Sequence, residues 1–222
     1  MTLIQKQIQA EVRRSFKLKY FVHQPTAGPP AEGYPLILFL HGAGQRGDDL
    51  EIMADHGLLM QVNAQADFPY LVCAPQCPLG ETWALYLDEL CLLLDEMERD
   101  YPVNADRIII SGLSMGGNGS WLLACKDPRR FAAAVPICGW GDWILDFPER
   151  VASMRSVPVW AFHGADDDVI PVAESQKMVD ALTSAGGQAK LTIYPGVTHN
   201  SWDQAYAEAE LYGWLESKRR KV

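Results

Sequence analysis

The chain has 222 residues, 48% hydrophobic and 21% charged, proportions that exclude a disordered, collagen-like or coiled-coil protein. Its 19 Lys and Arg against 28 Asp and Glu give a net charge of −9, which disfavours a nucleic-acid backbone or an anionic membrane surface as partner and points to neutral or small ligands. The five cysteines (Cys73, Cys77, Cys91, Cys125 and Cys138) are odd in number and lack CxxC spacing, which argues against structural zinc and a disulfide framework.

The first twenty residues hold no uninterrupted apolar stretch, and no later segment reaches the ~18 apolar residues of a membrane-spanning helix. The expectation is one α/β domain over residues 1–222 without stable membrane insertion. It is expected in the cytoplasm, or secreted if the chain is part of a longer precursor. Phe16 to Val22 alternates apolar and polar residues, the pattern of a half-exposed edge strand. A Pro- and Gly-containing loop, 25–31, leads to the first of six continuous apolar runs: 35–40, 70–74, 107–110, 132–137, 157–162 and 190–194. Runs of this kind suit strands buried on both faces, as in a parallel sheet. Between them, helical spacing appears near 50–65, 83–100, 115–126, 172–185 and 201–217, so strand and helix alternate as crossover connections require.

The first apolar run is followed by Gly42-Ala-Gly-Gln-Arg-Gly47, which formally fits the dinucleotide fingerprint GxGxxG. Asp48 and Asp49 after the third glycine would repel a pyrophosphate, and Asp67 precedes the second buried strand instead of ending it, so a nucleotide site is disfavoured. The same flexible backbone suits a different task, directing an N–H at a developing oxyanion.

Gly112-Leu-Ser-Met-Gly116 lies between a strand and a helix, the context in which GxSxG holds a serine hydroxyl out at a helix N-terminus. A nucleophilic Ser114 needs a base. Of the five histidines, His23 ends the edge strand, His56 lies in a helical segment, and His41 and His163 sit before glycine in tight turns. His199 falls in a loop after the last strand, at the carboxyl edge where ligands collect, and is the best general base. The acid that would orient it is expected after the strand 157–162, where Asp166, Asp167 and Asp168 all qualify; their mutual repulsion allows only one at the histidine. The order Ser, Asp, His is the one found in α/β-hydrolases.

The segments 40–49, 112–117, 163–171 and 199–202 together resemble the α/β-hydrolase superfamily. More narrowly they are similar to carboxylesterase/phospholipase-like and polyhydroxybutyrate-depolymerase-like serine esterases, a group often labelled predicted peptidases. The resemblance implies an α/β-hydrolase fold, a mostly parallel sheet with helices on both faces. It implies Asp167 as the acid, with Asp166 as the fallback, and the backbone N–H groups of Ala43 and Met115 as oxyanion donors. Asn200 stands where relatives often have Asp. The implied reaction is acyl transfer on a small-molecule carboxylic ester without metal or organic cofactor; a thioesterase, lysophospholipase or peptidase would use the same three residues. The 19 residues between Ile137 and Val157 are too few for a cap domain, so an open pocket is expected. Gly44, Trp83 and Trp140 are expected to line it, with Asp142 either a further polar contact or the N-cap of a helix after it, and Trp202 more readily a packing residue.

Overall fold

The computed structural model describes residues 3–11, 13–65, 67–141 and 147–221. Among these residues seven strands pair into one sheet: β1 (Tyr20–His23), β2 (Tyr34–Leu40), β3 (Leu71–Pro75), β4 (Val103–Leu113), β5 (Ala133–Ile137), β6 (Val159–Gly164) and β7 (Ala189–Tyr194). Their order is β1-β3-β2-β4-β5-β6-β7, with β1 antiparallel to β3 and every other pair parallel. The helices are α1 (Leu58–Ala64), α2 (Leu87–Asp100), α3 (Met115–Lys126), α4 (Val172–Ser184), α5 (Trp202–Ala207) and α6 (Ala209–Glu216). No described helix is long and apolar enough to cross a membrane.

The continuous apolar runs are buried on both faces because side chains alternate across the sheet. Along β2, Leu36, Leu38 and Leu40 join a core with side chains of α2, α3 and α4, whereas Ile37 and Phe39 join a second core with those of α1, α5 and α6. Three local readings differ from the structure. The edge strand begins at Tyr20 and not at Phe16, because its partner β3 ends at Pro75; beyond Tyr20 only the Gln76 N–H to Lys19 carbonyl bond continues the pairing. The helix expected over 50–65 is a short 3-10 turn (Leu50–Met53) followed by α1, broken at Gly57, whose φ of 57° lies in the left-handed region. The last helix is split at Glu208, which takes an extended backbone and accepts the Tyr194 hydroxyl at 2.7 Å.

Candidate active site

Ser114 stands between the end of β4 and the start of α3 with φ 53° and ψ −117°, a conformation that costs an L-residue about 1–3 kcal/mol. Neighbouring backbone enforces it. The Ser114 N–H donates to the Ile137 carbonyl at 2.8 Å, and its own carbonyl accepts from Asn118 N–H at 3.0 Å. A Cβ on Gly116 would lie 1.9 Å from the Leu40 carbonyl oxygen, and one on Gly112 would lie 2.4 Å from the Gly116 carbonyl oxygen. The two glycines of the motif are therefore what lets β2, β4 and α3 approach closely enough to present the half-buried serine.

His199, in the loop after β7, places Nε2 2.9 Å from Ser114 Oγ and Nδ1 2.8 Å from Asp167 Oδ2. The carboxylate only accepts, so the proton sits on Nδ1, and Nε2 is free to accept from the serine hydroxyl. Of the three adjacent aspartates the fold brings Asp167 inward. Its side chain is buried, and Oδ1 accepts from the N–H groups of Val169 (2.9 Å) and Ile170 (2.8 Å). Burial pushes its pKa up, but the hydrogen bond from His199 and these two amides outweigh that and hold it below the ordinary carboxylate range. Asp166 and Asp168 are exposed. Trp202 meets the His199 ring edge to face at 5.5 Å, a packing contact, and Asn200 donates to Asp203 at 2.8 Å.

The loop after β2 lies against the serine: a Cβ built on Gly42 would sit 3.6 Å from Ser114 Cβ. Among the described residues, the N–H groups of Ala43 and Met115 enter no turn, loop or cap hydrogen bond, as donors kept for a ligand must not. Ala43 and Gly44 are exposed at the edge of this loop. His41 is buried and braces it. Its Nε2 accepts the Cys77 N–H at 2.9 Å, so the ring proton is on Nδ1, 2.5 Å from the Gly42 carbonyl. Burial, only partly offset by that carbonyl, lowers the His41 pKa to about 4, so the ring is neutral at pH 7.

The expectation that Trp83 lines the pocket is corrected. Trp83 is 0% exposed and does not line an open site; its indole N–H donates to the His41 carbonyl at 3.0 Å behind the loop, because the short turn Trp83–Leu85 tucks it against α3. Trp140 is also buried, at 9% exposed, with its carbonyl accepting from Asn118 Nδ2 at 2.8 Å. Asp142 lies outside the described residues. A histidine before glycine in a tight turn often serves as a structural hydrogen-bonder, and both His41 and the buried His163 on β6 are held in such bonds; which groups each one meets is not written in the sequence.

The family model described as phospholipase/carboxylesterase matches residues 89–212. Acyl-protein thioesterase 1 of Gibberella zeae is 26% identical over 125 residues, which is 54% of this chain and 52% of that protein. A crystal structure of a thermostable esterase superposes with a TM-score of 0.81 at 33% identity, covering 91% of this chain and 60% of that one. Butyrate-bound esterase 2 of Thermogutta terrifontis, at 16% identity, superposes with a TM-score of 0.67 over 90% of each chain and shares the fold. The chain spans between about a third and a half of the length of the first curated relatives it matches. The mostly parallel sheet, with three of the described helices packed on each face, is the α/β-hydrolase fold.

Proposed function

Given that the chain belongs to the phospholipase/carboxylesterase family, we propose that it is a serine carboxylesterase acting on short-chain or exposed carboxylic esters. The observation that carries this reading is the continuous hydrogen-bonded line Ser114, His199, Asp167, assembled from the loops after β4, β7 and β6 beside two uncommitted backbone donors. His199 Nε2 takes the Ser114 proton as Oγ attacks the ester carbonyl, and Asp167 holds the imidazolium that forms. The Ala43 and Met115 N–H groups receive the oxyanion. His199 then protonates the departing alcohol, and water, deprotonated in turn by His199, releases the acid from Ser114. The original serine proton leaves with the alcohol and the proton taken from water passes through His199 to Ser114 Oγ, so the enzyme ends as it began, and this cycle uses no metal or organic cofactor.

Ser114→Ala is expected to lower kcat on p-nitrophenyl butyrate by about 10⁴-fold or more while the circular dichroism spectrum is unchanged. A variant that keeps its rate overturns the proposal. The likeness to an acyl-protein thioesterase supports a second reading in which the acyl donor is a thioester. Rates on an ester, a thioester and an amide sharing one acyl group separate the two, with the ester expected to exceed the amide and to match or exceed the thioester.

A further inference from the structure

Asp167 has a second histidine at its carboxylate. His163 is fully buried, and its Nε2 lies 3.0 Å from Asp167 Oδ2, the same oxygen that His199 Nδ1 approaches to 2.8 Å. That nitrogen is also 2.9 Å from the Ile170 carbonyl, while Ile170 N–H donates to the other carboxylate oxygen. Both neighbours of Nε2 are pure acceptors, so a proton must sit on it. On the other side of the ring, Nδ1 lies 2.7 Å from the buried hydroxyl of Ser175 on α4, which has the Gly139 carbonyl as a more distant second acceptor at 3.2 Å. Burial disfavours the charged ring, the facing charged and titratable groups being Asp167 and His199. The neutral ring then accepts the Ser175 proton at Nδ1, and this locks the Nε2–H tautomer.

We infer that His163 is a positioning residue for the esterase reaction, its Nε2–H clamping the Asp167–Ile170 turn and sharing the oxygen with which Asp167 holds His199. The inference rests on the proposed roles of Ser114, His199 and Asp167. By leaning on Oδ2 the neutral imidazole draws off part of the charge that His199 feels and prevents the carboxylate from turning about its own axis. Without it, the full charge of Oδ2 falls on the His199 N–H, and the histidine is held in a looser orientation.

His163→Phe is expected to lower kcat by about 10- to 100-fold with KM within about threefold, the range over which groups supporting a primary site act. The acid limb of its kcat/KM profile is expected to move to higher pH. His163→Gln, whose amide N–H reaches the Nε2 position, is expected to recover kcat to within about fivefold and to restore the acid limb. Two readouts stand apart from turnover. A multiple-bond ¹H–¹⁵N spectrum of the parent chain at neutral pH is expected to show a histidine in the neutral Nε2–H tautomer whose signal is absent from His163→Gln. The rate of Ser114 labelling by a fluorophosphonate is expected to fall in His163→Phe and recover in His163→Gln. If the parent is not labelled at Ser114, the esterase reading fails and takes this inference with it. If the parent is labelled but His163 is an imidazolium or an Nδ1–H tautomer, the inference alone is overturned. The same holds if glutamine restores neither rate nor acid limb. Should His163→Phe not fold, the glutamine variant and the tautomer spectrum decide.

Discussion

Gly116 has no room for one more carbon, since its hypothetical Cβ would overlap the Leu40 carbonyl at 1.9 Å. Gly116→Ala is therefore expected to destabilise the fold by at least about 3 kcal/mol, or to prevent its formation, because the obstacle is backbone and cannot rotate away. The shift in urea midpoint checks this. His41 makes a second residue-level case. Its proton is bound less readily in the folded chain, at a pKa of about 4, than at the ordinary 6.5. The unfolded chain thus holds more protons between these values, and folding stability falls as pH drops from about 6.5 to about 4, flattening below. The loss amounts to about 3 kcal/mol from this group. Urea melts across that range are expected to show the slope, and His41→Gln is expected to show less of it. The positions of Ser114 and His199 were legible because each rests on a short local pattern beside a strand end. Asp167 was separated from Asp166 and Asp168 only by family resemblance, since the choice among adjacent carboxylates depends on which one the turn buries against His199.

The two central helices respond to substitution by different rules. α2 buries Leu90, Leu93, Leu94 and Met97 and leaves Leu92 54% exposed, so its amphipathic period was readable in advance. α3 is buried over its whole length from Met115 to Cys125, and its apolar residues show no period because there is no solvent face to mark. Leu123→Ala, at a fully buried site on α3, is expected to cost about 2–5 kcal/mol. Leu92→Lys on α2 is expected to stay within about 0.5 kcal/mol, both being read from chemical denaturation midpoints. The breaks at Gly57 and Glu208 show what helical periodicity cannot supply. Gly57 turns where a Cβ would come within 2.5 Å of Leu113, and Glu208 reaches Tyr194 on β7, so both boundaries are set by distant neighbours.

At the scale of the molecule, the parallel order of β4, β6 and β7 turns their carboxyl ends to one edge of the sheet, where residues 85 and 32 positions apart meet across His199. Between β5 and β6 the described residues hold one 3-10 turn, Glu149–Met154, and no cap helix. With only 19 residues between Ile137 and Val157, the site is expected to turn over p-nitrophenyl acetate and butyrate faster than the palmitate ester, as initial rates in detergent-free buffer below the solubility limit will show. The alternation of apolar runs with helical segments was enough to determine the fold class, because burial on both faces of a strand leaves its mark on every residue of the run. Strand-end glycine motifs likewise pointed to the edge of the sheet at which Ser114, Asp167 and His199 meet. How deeply each tryptophan is buried, which aspartate meets His199 and which groups His41 and His163 bond were decided only in three dimensions. Those outcomes depend on the mutual burial of side chains from separate elements, and a hydrogen bond such as Trp83 to His41 or His163 to Ile170 forms only when packing removes the competing water.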